Sequence, residues 1–123
     1  MNIAAGLDEA TPMRVLIVDD QPIIAEAVRR MLLPHKNIQL IACIKGSEAL
    51  AKVAEVDPDV ILQDLVMPDA DGLELVSAYR RNPALARTPL IVLSVKEEPS
   101  IKAEAFARGA NDYLVKLPDP LEL

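Results

Sequence analysis

Five short apolar runs punctuate the chain, at Met13–Val18, Ile38–Ile44, Val60–Gln63, Leu90–Leu93 and Tyr113–Val115. They are rich in Val, Ile and Leu and mostly lack polar alternation, the pattern of strands buried on both faces. Between them, apolar residues recur at helical spacing. Ile23, Ile24, Ala27, Val28, Met31 and Leu32 form one stripe, with Pro22 suited to a first turn. Ser47 is placed to cap a second helix whose inner face is Ala49, Leu50, Val53 and Ala54. Asp71 and Glu74 resemble a capping box ahead of Leu75, Val76 and Tyr79. Ser100 opens a fourth helix through Arg108, which Gly109 stops. Strand and helix alternate four times before a fifth strand, which predicts a parallel sheet covered by helices with right-handed crossovers. Residues 1–12 are small and polar and read as a flexible arm, leaving 13–123 as the folded unit.

Composition narrows the function. A length of 123 residues suits one core and not two. The net charge of −6 argues against a nucleic-acid binder, which needs a basic face. No apolar run approaches the roughly 20 residues that span a bilayer, and no secretory signal opens the chain. One cysteine, Cys43, excludes an internal disulfide framework and fits a reducing, cytoplasmic setting, where it reads as an inert small hydrophobe. The four glycines form no phosphate-cradling cluster.

The polar residues at the strand ends carry the chemistry. Asp19 and Asp20 follow the first strand, Asp64 ends the third, Ser94 ends the fourth and Lys116 the fifth. In a parallel sheet all carboxyl ends share one edge, where ligands of open α/β sheets bind. Three clustered carboxylates repel unless a cation neutralises them, and oxygen-only ligation points to a hard ion, Mg²⁺ or Mn²⁺. With an ammonium and a hydroxyl beside them, the set suits a phosphoryl group in transit. Its only suitable nucleophile is a carboxylate, which would become an aspartyl phosphate. Blander readings accompany the other residues. Met67-Pro68 reads as a shaped loop, Gly72 as relief of crowding at a helix start, and His35 as a solvated turn residue. Glu97-Glu98 reads as a solvated loop, with Lys96 and Val66 bordering the site, and Tyr113 on its own is also a strand aromatic packing on a helix.

Asp19-Asp20, the segment Gln63-Asp64-Leu65-Val66-Met67-Pro68-Asp69-Ala70-Asp71-Gly72, Ser94 and Lys116 together resemble the receiver domain of two-component response regulators, from about Arg14 onward. The resemblance implies a CheY-like (flavodoxin-like) three-layer α/β sandwich with strand order 2-1-3-4-5. It implies Asp64 as phosphoacceptor from a sensor histidine kinase. It also implies Mg²⁺ held by Asp20, Asp64 and the Val66 backbone carbonyl, with Asp19 acting through water. Lys116 and Ser94 would bind phosphoryl oxygens, and Tyr113 would turn inward as Ser94 moves.

Tyr113-Leu114-Val115-Lys116-Leu117-Pro118-Asp119, with Ile61–Pro68 and Lys96–Pro99, is similar to the receiver of WspR-like diguanylate cyclases. That implies a C-terminal output domain making cyclic di-GMP. Leu117 stands where the family places Pro, so a cis bond after the lysine is not carried over. Two other classes compete. An aspartyl-nucleophile Mg²⁺ phosphatase needs an acid two residues after Asp64, where Val66 stands. A non-phosphorylated pseudo-receiver would serve as an interaction module only. The pattern calls for a fifth helix after Lys116, and Pro118–Leu123 supplies only its approach. The chain therefore reads as a fragment cut at that helix, expected to cover the bared groove by dimerising or swapping elements.

Overall fold

The computed structural model describes residues 11–95 and 97–116. Its main sheet has strands β1 Met13–Val18, β2 Ile38–Cys43, β3 Val60–Asp64, β4 Leu90–Ser94 and β5 Asp112–Val115. The helices are α1 Pro22–Leu32, α2 Ala49–Val56, α3 Gly72–Arg81 and α4 Pro99–Arg108. All strand pairs in the sheet are parallel, in the expected order β2-β1-β3-β4-β5. A small antiparallel ladder, Val66–Met67 on Ala70–Asp71, closes the loop after β3. No helix among the described residues is long and apolar enough to cross a membrane.

The sheet separates two cores because successive side chains point to opposite faces. On one face Leu16, Val18, Ile61 and Val92 pack with Ala49 and Val53 of α2, Val76 and Tyr79 of α3 and Ala105 of α4. On the other, Ile17 and Leu93 meet Ile24 and Ala25 of α1. Leu62 and Ile91 on this second face are half-buried and Leu114 is exposed. Residues 117–123, where the Leu117-Pro118 bond and only the approach to a fifth helix were expected, and most of the N-terminal arm lie outside the described residues.

Several local expectations are corrected. Ile44 falls outside β2. Ser47 does not cap α2; it sits in a 3₁₀ turn, Gly46–Glu48, and its N–H donates to Asp69 instead. Asp71 does cap α3, accepting from Leu73 N at 3.0 Å, but Glu74 reaches Arg108 rather than completing a box. Helix α4 begins at Pro99, a residue suited to the first turn, and Gly109 ends it with φ +119°. Ile23, Met31, Leu50 and Ala54 are exposed although their spacing placed them inward. Helices α1 and α2 offer wider apolar stripes than the described residues cover.

Candidate functional site

The backbone ladders carry each candidate residue to the same edge. Asp19 N donates to Cys43 O at 3.0 Å, Leu65 N to Leu93 O at 3.0 Å, and Lys116 N to Ser94 O at 2.6 Å. Each bond adds a rung just past the strand. Register then sets the face. Ile17 lies opposite Leu62, so Asp19 and Asp64, each two residues on, rise on one side of the sheet. Asp64 lies opposite Leu93, and Leu93 opposite Leu114, so Lys116 joins them from β5.

The result is a compact charged corner. Lys116 Nζ stands 2.7 Å from Asp19 Oδ2 and 3.0 Å from Asp64 Oδ1. Asp19, Asp64 and Lys116 expose only 2%, 3% and 8% of their surface, and Asp20 is half-buried. One carboxylate oxygen from each of Asp19, Asp20 and Asp64 lies within 4.8 Å of the others. Asp19 Oδ1 accepts from Gln21 N at 2.9 Å. Oδ2 is buried and lies against the Lys116 ammonium at 2.7 Å.

Among the described residues three carboxylates face one ammonium, an excess of negative charge in a largely buried corner. Burial pushes the Asp64 carboxyl up to about 6 from 3.8; the hydrogen bond from Lys116 opposes this and the Asp19 charge adds to it. Burial alone would lower the Lys116 ammonium, but the two carboxylates outweigh it and raise its pKa. The donor set is all oxygen, crowded and short of positive charge, so these residues fit a hard divalent cation.

Ser94, the last residue of β4, is buried, as is Tyr113 of β5, over whose ring Lys102 Nζ lies 5.9 Å from the centroid. Val66 begins the small ladder with its side chain exposed, and its N–H faces Asp64 Oδ1 at 3.4 Å. Gly72 has no room for a side chain: a Cβ would strike the Asp64 carbonyl and the Leu65 backbone. His35 is exposed in the loop between α1 and β2, at the opposite end of the sheet. Cys43 is buried, and burial raises its thiol pKa. Lys96 lies outside the described residues.

The structure adds residues that strand-end reasoning passes over. Asp69 clasps the backbone N–H groups of Gly46 and Ser47, both at 3.0 Å, tying the loop after β3 to the loop after β2. Gln63, directly before Asp64, is fully buried and hydrogen-bonded to Tyr79. The signal for Gln63 was a polar residue inside a buried strand, which must have a partner. Nothing in the sequence marked Asp69, because its partners are backbone groups more than 20 residues away.

Comparison with known proteins agrees with this geometry. The response regulator receiver domain family matches residues 15–123. The transcriptional regulatory protein ResD of Bacillus subtilis is 36% identical over 117 residues, covering 95% of this chain and 47% of ResD. Protein PilG of Pseudomonas aeruginosa is 34% identical, covering 85% of this chain and 76% of PilG. Against several relatives the chain spans somewhat less than half their length. The chemotaxis protein CheY4 of Vibrio cholerae superposes with a TM-score of 0.79 at 34% identity, covering 90% of this chain and 92% of CheY4. The Mn²⁺-bound response regulator Rcp1 gives 0.82 at 28% identity, covering 91% of this chain and 86% of that one. With the sheet order, the acid corner and its lysine described, the match places this chain in the response regulator receiver domain family.

Proposed function

We propose that the chain is a phosphorylation-operated switch in two-component signalling, with Asp64 taking a phosphoryl group from the phosphohistidine of a sensor histidine kinase. The observation that carries this reading is Lys116 held between Asp19 and Asp64 beside a third carboxylate. An oxygen of the Asp64 carboxylate attacks phosphorus; the P–O bond forms as the P–N bond breaks, and the imidazole leaves with the electron pair. Lys116, already 3.0 Å from Asp64 Oδ1, receives charge developing on the phosphoryl oxygens. Mg²⁺ or Mn²⁺, when bound, supplies further positive charge against those oxygens. Asp20, Asp64 and the Val66 carbonyl would hold the cation, and Asp19, engaged at Oδ1 by Gln21 N and at Oδ2 by Lys116, would act on it through a water.

The aspartyl phosphate adds roughly two negative charges beside Lys116 and Ser94. It shifts the fold only through contacts that differ between two states. Ser94 bonding a phosphoryl oxygen, with Tyr113 repacking behind it, supplies that difference and alters the α4–β5 face. In a longer parent chain a C-terminal domain reads this face. The Tyr113–Asp119 phrase favours a diguanylate cyclase there, whereas names such as that of ResD favour a transcriptional regulator. Cyclic di-GMP synthesis by the whole protein, assayed with and without phosphorylation, separates the two.

The switch itself is tested by incubation with Mg²⁺ and acetyl phosphate. Wild type is expected to gain one phosphoryl group and Asp64→Asn none; equal labelling of the variant would refute the assignment.

A further inference from the structure

We propose that Gln63 and Tyr79 are positioning residues for phosphoryl transfer: their buried hydrogen-bond relay holds both ends of the segment Asp64–Met67 that forms one wall of the acid corner. The inference rests on the receiver reading above and adds two residues to it that never touch the phosphoryl group.

Gln63 lies on the strand that presents Asp64, but its side chain points to the opposite face of the sheet, into the core under α3. Both Gln63 and Tyr79 expose 0% of their surface. An amide so placed is costly unless all its polar atoms are engaged. Here they are. Tyr79 Oη donates to Gln63 Oε1 at 2.5 Å, and Gln63 Nε2 donates to the Asp64 carbonyl at 2.8 Å and to Met67 Sδ at 3.7 Å. Burial pushes the Tyr79 phenol above its usual range, so it remains a donor at neutral pH.

The pattern of contacts is more than core packing requires. One amide grips the peptide directly after the nucleophile and, three residues on, the side chain that anchors the loop. Between them stand Leu65 and Val66, whose carbonyl the receiver reading gives to the cation. On its other side the Asp64 carbonyl abuts Gly72, where even a methyl group would collide with it. The carbonyl is thus held by the amide on one side and enclosed by a glycine on the other. Groups that orient first-contact ligands from behind commonly change metal affinity or activity by roughly 10–100-fold when removed.

The test separates positioning from packing. Gln63→Met with Tyr79→Phe preserves volume and removes the whole relay, so that of its polar groups only the Asp64 carbonyl loses a donor. The double variant is expected to keep a cooperative unfolding transition close to that of wild type. Its rate of labelling by acetyl phosphate should fall roughly tenfold, and the Mg²⁺ concentration for half-maximal labelling should rise. Wild-type rate and Mg²⁺ dependence in a folded double variant would overturn the inference while leaving the receiver reading intact. If the double variant fails to fold, Tyr79→Phe decides: slower labelling per folded molecule supports positioning, and an unchanged rate overturns it. Absence of labelling in wild type would instead remove the receiver reading, and this inference with it.

Discussion

Lys116 and Arg80 are both drawn into the fold, at opposite ends of the sheet, and their surroundings differ in kind. Arg80 delivers its guanidinium to four neutral oxygens: Gly109 O, Leu85 O, Thr88 O and Asn111 Oδ1, at 2.8, 2.6, 2.8 and 2.8 Å. Asn111 Oδ1 also accepts from Leu90 N, so one cluster ties α3, the end of α4 and the starts of β4 and β5. That end is complete. Among the described residues Lys116 faces three carboxylates, two of them buried and one of these with a raised pKa. The first arrangement joins elements; the second keeps an electrostatic deficit that a cation and a phosphoryl group can fill.

The contrast is broken most severely by removing each cation. Arg80→Ala is expected to lose about 2–3 kcal/mol by leaving three part-buried carbonyls without this donor, and Arg80→Lys to recover little, because an ammonium lacks the planar fork. Lys116→Met is expected to lose a similar amount, about 3 kcal/mol, in chelator. Saturating Mg²⁺ should return roughly 1–3 kcal/mol to the Lys116 variant and no more to the Arg80 variant than to wild type. Denaturant unfolding with and without Mg²⁺ reads this directly; equal rescue of both would erase the distinction.

A smaller effect comes from Asp64 itself. Its carboxyl holds a proton more tightly in the fold, at about 6, than at its ordinary 3.8. Between these values the native state binds more protons, so its stability falls as pH rises. Without divalent cation, Asp64→Asn is expected to be more stable than wild type above pH 6, by roughly 2 kcal/mol. The gap should close toward pH 4, as seen in paired urea titrations across pH. Mg²⁺ competes with the same proton, so its affinity should weaken below pH 6, by up to about tenfold per unit. Titration calorimetry across that range checks this.

The smallest change is expected for Asp69→Asn, at the exposed clasp on Gly46 and Ser47. The bonds from Ser47, then those from Gly46, hold the Asp69 carboxyl below its usual range. Its contribution is therefore present above the ordinary carboxylate pKa and lost as pH falls through the lowered one. A variant whose thermal midpoint differs from wild type equally at neutral and strongly acidic pH would contradict the clasp.

How much was legible follows from which forces were local. The five strands could be read because doubly buried strands leave continuous Val, Ile and Leu runs, whereas their order came from the family resemblance. Asp19, Asp20, Asp64, Ser94 and Lys116 each sit where such a run stops, and parallel topology carries them to one edge. Caps and partners were less legible. Ser47 has the intrinsic preference for a cap, yet Asp69 claims the backbone it would have served. Tyr79 read as one more apolar position on α3, although its hydroxyl meets the polar residue in β3. Arg80 carried no mark at all, since its acceptors are mostly carbonyls brought near by tertiary folding. Ile23, Met31 and Leu50 were placed inward because periodicity reports where apolar residues lie on a helix, and cannot report how wide a strip its neighbours cover.

The central claim, that Asp64 in the unsatisfied acid corner is the phosphoacceptor and needs a divalent cation, has one most direct measurement. Wild-type chain is treated with acetyl phosphate in Mg²⁺ or in chelator, the acyl phosphate is trapped by borohydride reduction, and the modified residue is located by peptide mass spectrometry. The account predicts modification confined to Asp64 and dependent on Mg²⁺. Modification at another carboxylate, or at Asp64 to the same extent in chelator, would contradict it.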